Sequence, residues 1–211
     1  MKNVLNYPHI IFDCDGVLLD SNELKRQAIL RAACEIVSPV VAEEFTDYFC
    51  EFNGAPRLDK ALRFFSDQDV ATEIIERYNL LLQDDVRPKP TVGAESLLAM
   101  LFAAGIRVSV LSGGEEEEVR RFLKVAGLDV FCEGIFGGPS TKQENLVKFP
   151  DTAHALYVGD SKVDFELARV NNLEFIFLTQ YSQVKDIDVF ISNAQVTSCR
   201  NLRELKCLKW E

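Results

Sequence analysis

From Val92 onward the chain alternates between two periods. Helical patterns over 92–104, 115–125, 141–149 and 163–170 are separated by short apolar runs at 106–111, 134–136, 155–158 and 173–178. Short β-branched and aromatic runs spaced by helices of ten or so residues predict a parallel sheet, because parallel neighbours need a crossover and bury both faces. One more strand belongs to that sheet, and it lies far upstream. Ile10 to Phe12 is an apolar run too short for a helix and bounded by turn residues. Between this strand and the alternation, four helical patterns follow one another with no strand among them. The first puts Leu24, Ala28, Ala32 and Ile36 on one side with Ile29, Ala33 and Val37, leaving Lys25, Arg26, Arg31 and Glu35 on the other, and stops near Pro39. The second runs from about Val40 to Phe52 and ends at Gly54, the third starts at Pro56, and the fourth follows Asp69. Arg87-Pro-Lys-Pro-Thr then reads as a stiff connector. An all-helical block over 22–86 is thus expected to interrupt an α/β domain made of 1–21 and 87–211. The tail from Val184 is expected to add a short strand, Asp188 to Ile191, and a helix near Asn201 to Leu208.

Charge and composition narrow the partners. The 211 residues carry a formal net charge of −10, which argues against nucleic acid and against an anionic membrane surface. No apolar run approaches the ~20 residues that span a bilayer. The start, Met-Lys-Asn-Val-Leu-Asn-Tyr-Pro, lacks the apolar stretch of a signal peptide. Six cysteines show neither a C-x-x-C pair nor zinc spacing, so a reduced, cytoplasmic setting is expected. Cys14 reads as a filler at a strand end, its thiol pKa raised by the carboxylates on either side.

Four segments share one design, an apolar strand or loop followed at once by polar residues. His-Ile-Ile-Phe ends in Asp13-Cys-Asp15-Gly16, where the period of two points both carboxylates the same way and Gly16 turns the chain. Val108-Ser-Val-Leu ends in Ser112-Gly113-Gly114 before a helix; amides, hydroxyl and helix dipole there suit an anion, though a plain cap would look the same. Lys142 follows a glycine-rich loop and opens a helix, and a solvated lysine is its ordinary reading. Leu156-Tyr-Val-Gly159 ends in Asp160, with Asp164 one helical turn on. In open α/β sheets such strand ends meet at one crevice. Asp13, Asp15 and Asp160 would then supply oxygen ligands for a hard cation such as Mg2+ rather than zinc. The run Glu115 to Glu118 suits a helix start and reads most simply as a solvated face, the functional alternative being that it discourages highly anionic substrates at the rim.

Asp-x-Asp-Gly-Val-Leu-x-Asp-Ser, from Asp13 to Ser21, resembles the first motif of the haloacid dehalogenase-like hydrolases, most of which are magnesium-dependent phosphatases. The other three segments resemble the remaining motifs in order, across the whole α/β domain. The resemblance implies a Rossmann-like α/β core with an inserted helical cap, as in the branch containing phosphoglycolate phosphatases and β-phosphoglucomutases. It implies Asp13 as the nucleophile that becomes an aspartyl phosphate and Asp15 as the acid and base, with a carboxyl pKa raised for proton donation. Ser112, Gly113 and Lys142 would bind phosphate. Asp13, Asp160 and the backbone carbonyl of Asp15 would hold the metal, and Asp164 would support them from behind. Asn53-Gly54-Ala-Pro-Arg57 resembles the specificity loop of the cap, with Arg57 touching substrate.

The expected function is magnesium-dependent hydrolysis of a small phosphorylated metabolite, by a monomer or weak homodimer. A phosphosugar mutase uses the same residues. A non-catalytic module that binds phosphate or metal has no need of Asp15. Two positions depart from the family pattern: Gln143 stands where proline often follows the lysine, and Asn171-Asn172 where alanine-glycine is usual. His9 and His154 fall at strand starts, away from the crevice, and are assigned no role.

Overall fold

The computed structural model of the protein describes residues 1–52, 55–84, 87–149, 152 and 154–210. Asn53 and Gly54 of the expected specificity loop, and Val86 at the expected end of the helical block, lie outside the described residues.

Six strands form one parallel sheet: β1 (His9–Phe12), β4 (Arg107–Glu115), β5 (Gly134–Gly138), β6 (Ala155–Gly159), β7 (Glu174–Leu178) and β8 (Thr197–Cys199), in the order β5-β4-β1-β6-β7-β8. β1 pairs with β4 on one side, His9 opposite Arg107, and with β6 on the other, His9 opposite Ala155. The strand order therefore reverses at β1, and the carboxyl ends of β1, β4 and β6 open the crevice where such sheets bind ligands.

Alternation along each strand fills two apolar layers. Ile10, Phe12, Val110 and Val158 face one way, with Leu97, Leu98 and Leu101 of α5 (Ala94–Ala103), Val119 and Phe122 of α6 (Glu116–Val125), and Leu202 and Leu205 of α10 (Leu202–Leu205). Ile11, Leu111, Tyr157 and Phe177 face the other, with Leu146 of α7 (Lys142–Leu146), Leu167 of α8 (Lys162–Val170) and Phe190 of α9 (Ile187–Ala194).

Four helices, α1 (Asn22–Cys34), α2 (Pro39–Glu51), α3 (Arg57–Phe64) and α4 (Gln68–Asp84), gather around a third, separate apolar cluster. Phe45 is its centre, fully buried, with ring centroids 4.8 to 5.5 Å from Phe65, Phe64 and Phe49. The chain enters this helical insert through β2 (Leu19–Asp20) and leaves it through β3 (Lys89–Pro90), and the two pair antiparallel, Leu19 with Pro90 and Asp20 with Lys89. Thr91 strengthens the junction, its amide donating to the Leu18 carbonyl at 2.9 Å and its hydroxyl to the Val17 carbonyl. The proline-rich connector is thus one arm of a ribbon, and proline is tolerated there because the strand has a free edge.

Three expectations need correcting. Asp188 to Ile191 is not a strand; it lies in α9, because Ile187, Phe190 and Ile191 recur at helical spacing and pack on the sheet, and the last strand is β8. Leu24 is 39% exposed, while the Lys25 side chain is only 13% exposed; α1 turns Lys25 inward because two carboxylates await it there. β4 runs on through the glycines to Glu115, with a register break after Leu111. Among the described residues, no helix is long and apolar enough to cross a membrane.

Candidate active site

Three buried carboxylates meet at the end of the central strands. Asp13 prolongs β1, its amide donating to the Val158 carbonyl at 2.9 Å. Asp160 follows β6, and Asp164 sits in the first turn of α8. One oxygen from each lies within 4.8 Å of the others, and none of the three residues is more than 4% exposed. Lys142, 3% exposed, enters this cluster, its ammonium 2.8 Å from Asp13 and 2.6 Å from Asp164. Asp164 is held from every side: Tyr157 donates to it at 2.5 Å, the Ser161 hydroxyl at 2.5 Å and the Ser161 amide at 3.1 Å.

Three negative charges against one positive leave the cluster short of cations. Burial, with Asp164 and Asp15 adding to it, pushes the Asp13 carboxyl up to about 7 against the pull of Lys142. Burial, then Asp13 and Asp164, holds Asp160 well above the ordinary carboxylate value. Carboxylate oxygens without histidine or cysteine, buried and in charge excess, fit a hard divalent cation.

Gly16 makes the close approach possible. At φ +76° it turns the chain under Asp160, and a Cβ there would strike the Asp160 carboxylate and the Asn22 side-chain amide. Asn22 itself donates to Asp160 at 3.0 Å and to the Tyr181 carbonyl at 2.9 Å.

Asp15 is oriented away from this cluster. Its carboxylate accepts from Ser21 at 2.5 Å and pairs with Lys25 at 2.7 Å. Burial acts to raise its pKa, but Lys25, Ser21 and Arg57 together outweigh it and hold the carboxyl below its ordinary value. This reverses the expectation of a raised pKa: the neighbours that count are the cations of α1 and α3, not the other carboxylates. Cys14 between the two aspartates is 1% exposed, and burial first, then Asp15, keeps its thiol well above the usual range, so filler is the right description.

The remaining parts surround the same crevice. The fully buried Ser112 hydroxyl accepts the Gly114 amide at 3.0 Å, shaping the loop, while Gly113 and Gly114 line the cavity with Asp13 and Asp15. Thr141 and Glu144 cap α7 reciprocally, and the Asn145 amide donates to the Gly137 carbonyl at 2.9 Å, so the loop before Lys142 is tied to the helix that presents it. His9 begins β1 at the opposite end, bonded to Ser109 at 2.9 Å.

The helical insert supplies the other wall, with Lys25, Arg26, Phe49, Arg57, Lys60 and Tyr78. Arg57 lines the cavity as expected of a cap residue, but its guanidinium is occupied. It donates to Asn79 at 2.6 Å and to both oxygens of Glu118 at 3.0 and 3.2 Å, and stacks on Tyr78. Glu118 also takes Lys25 at 3.1 Å. The reading of Glu115 to Glu118 as a solvated face therefore fails at Glu118, whose side chain is 9% exposed. Lys60, three residues after Arg57 on the same face of α3, donates to the Phe49 carbonyl at 3.0 Å and lies 3.5 Å from the Phe49 ring centroid.

The geometry agrees with what the chain is similar to. The profile of the haloacid dehalogenase-like hydrolases matches residues 10–178. A phosphoglycolate phosphatase of Cereibacter sphaeroides is 30% identical over 188 residues, covering 82% of this chain and 85% of that protein. A protein provisionally named a pyrophosphatase, from Caldanaerobacter subterraneus, is 28% identical over 173 residues, 76% of each chain. The crystal structure of a phosphatase, so classed by prediction, from Clostridium acetobutylicum superposes with a TM-score of 0.77 at 23% identity over 95% of this chain and 97% of its own. The relatives favour hydrolysis over transfer of the phosphoryl group to a second sugar phosphate.

Proposed function

The chain belongs to the haloacid dehalogenase-like hydrolases and is a phosphatase, and we propose that it hydrolyses a small phosphorylated metabolite through a phosphoryl group carried transiently on Asp13. In this reading residues 1–21 and 87–211 are the catalytic core and 22–86 the cap. The observation that carries it is the buried ammonium of Lys142, 2.8 Å from Asp13 within a cluster of three carboxylates. That placement suits a nucleophile meeting an anionic phosphate more than it suits a stabilising ion pair, since buried pairs seldom repay their desolvation.

An Asp13 oxygen attacks phosphorus, and the bond to the ester oxygen breaks. Asp15 gives its proton to the departing alkoxide, then removes one from the water that attacks the phosphoenzyme, which releases phosphate and restores Asp13. Lys142, the Ser112 hydroxyl and the Gly113 amide hold the phosphate oxygens. A divalent cation held by Asp13, Asp160 and the Asp15 carbonyl would offset the repulsion between phosphate and carboxylate, and the all-oxygen donor set makes magnesium the first choice. The bond from Lys25 keeps Asp15 in its basic form, which suits the second half of this sequence. Lys25 belongs to the insert, so movement of the cap would make and break that bond and let Asp15 take up the proton it needs for the first half.

Among the relatives, the phosphoglycolate phosphatases make a small phosphorylated acid the first substrate to try. The test is phosphate release from a panel of phosphorylated metabolites and an aryl phosphate, with magnesium or chelator, for the native protein beside Asp13→Asn. Magnesium-dependent turnover lost in the variant is expected. Turnover that survives either the chelator or the substitution would overturn the mechanism.

A further inference from the structure

Four cations border the cavity on the side of the insert, and three are already matched. Lys25 pairs with Asp15 and Glu118 at 2.7 and 3.1 Å. Arg57 donates to both oxygens of Glu118. Arg26, at the rim, pairs with Asp47 at 3.0 Å and Glu43 at 3.7 Å. Lys60 differs. Among the described residues no carboxylate pairs with it; one of its three donors is used, on the Phe49 carbonyl, and the Phe49 ring covers another side. It is nonetheless 5% exposed. Burial, with Arg57 and Lys25 adding to it, holds its pKa down to about 7, so it lacks a counter-charge, and an anion placed beside it would stabilise its protonated form. The space is small, about 40 Å³, roughly three waters by the usual allowance of 10–15 Å³ each.

We propose that Glu118 is a specificity-determining residue that sets the charge of the leaving group: by neutralising Arg57 and, together with Asp15, Lys25, it leaves Lys60 to receive one negative charge. The enzyme then accepts phosphate monoesters whose leaving group bears a single carboxylate, and turns away those bearing a second phosphate. This rests on the phosphatase reading above and adds to it. A dianion in the cavity meets one unmatched ammonium, and it meets the carboxylate of Asp15 as well, in a space too small to keep its hydration, while Glu118 withholds the charge of Arg57 from it. Rejection comes from that repulsion, and acceptance from Lys60.

The experiment measures kcat and KM for three esters of similar size, with a carboxylate, a neutral group or a second phosphate on the leaving group, in the native enzyme, Glu118→Gln, Lys60→Met and Lys60→Arg. Glu118→Gln keeps the shape and one acceptor for Arg57. It is expected to improve kcat/KM for the bisphosphate relative to the carboxylate ester at least about tenfold, mostly through KM, the scale of one charge-assisted contact. Lys60→Met should reduce the preference for the carboxylate ester over the neutral one by about tenfold or more, and Lys60→Arg should recover part of it. Unchanged ratios in Glu118→Gln refute the role of Glu118. Should that variant not fold, an unchanged carboxylate-to-neutral ratio in Lys60→Met refutes the proposal independently. Failure of the underlying phosphatase reading looks different: the native enzyme then releases phosphate from none of the three esters.

Discussion

Replacing Lys142 with methionine probes the charge balance of the site most directly. Methionine keeps most of the aliphatic length and removes the ammonium that stands 2.8 Å from Asp13 and 2.6 Å from Asp164. Three carboxylates within 4.8 Å are then left without a lysine. Removing one partner of a buried pair costs roughly 3–5 kcal/mol. For a chain of this size each kcal/mol moves the melting temperature by about 2–4 °C, so a drop of roughly 6–20 °C is expected in chelator at pH 7.5, together with loss of turnover. The sign of the pH effect follows from Asp13, whose carboxyl titrates near 7 in the native protein against 3.8 ordinarily. Below 7 the folded state holds a proton there, and the variant gains most from it, so its deficit relative to the native protein should shrink at pH 5.5. An excess of divalent cation should shrink it too, by binding only the folded form. Thermal unfolding followed by circular dichroism, native beside variant under the three conditions, decides the matter. A deficit below about 3 °C in chelator, or one indifferent to both pH and metal, would refute the account of Lys142 as the counter-charge of this cluster.

Other outcomes follow from the same structure. The gain in melting temperature that a divalent cation gives the native protein should grow from pH 5.5 to 7.5, because metal and protons compete for Asp13 and Asp160, both with raised pKa values; a gain independent of pH would contradict that competition. Phe45→Ala empties the middle of the insert, where the ring is fully buried, at a cost of roughly 3–5 kcal/mol. Hydrogen exchange should rise across 22–84 well before it rises in the sheet, and a uniform rise would show that insert and sheet are one cooperative unit. Of the free thiols, exposed Cys34 and Cys207 should alkylate quickly, while buried Cys14 and Cys199 should wait for unfolding; mass spectrometry of a time course would expose fast modification of Cys14, which would remove its reading as filler.

What the sequence discloses here is set by how far a pattern reaches. The strands β1 and β4 to β7 and most helices are legible because burial on both faces of a parallel sheet leaves continuous apolar runs, whereas β2, β3 and β8 are too short to leave one. Asp13, Ser112, Lys142 and Asp160 are legible because a strand end or a helix start fixes where each side chain goes. Lys25, Lys60 and Glu118 are not. Each stands on a helix whose pattern reads equally well with a solvated charge, and only the packing of the insert on α6 makes the charges face one another. Leu24 and Lys25 exchanged roles for that reason: adjacent positions on α1 are separated by 100°, and the electrostatic partner outweighed the apolar pattern. In the tail, Ile187, Phe190 and Ile191 fit a helix and a short strand alike until α9 is seen packed on the sheet.

The ribbon of β2 and β3 means that the insert's two ends are neighbours. Asp20 and Lys89 are paired residues, so they stand about as far apart as the two ends of a hairpin loop. Among the described residues, the helical cluster shares no buried residue with the two layers of the sheet. The chain is therefore built like a plug and socket: a two-residue turn joining Asp20 to Lys89 would close the sheet domain on itself, and a different insert could be spliced at the same pair without disturbing the strands that carry Asp13 and Asp160. Substrate choice and phosphoryl chemistry would then be exchangeable as separate cassettes, except at Asp15 and Glu118, the carboxylates of the sheet domain that pair with Lys25 and Arg57 of the insert, and a transplanted insert would have to match those contacts.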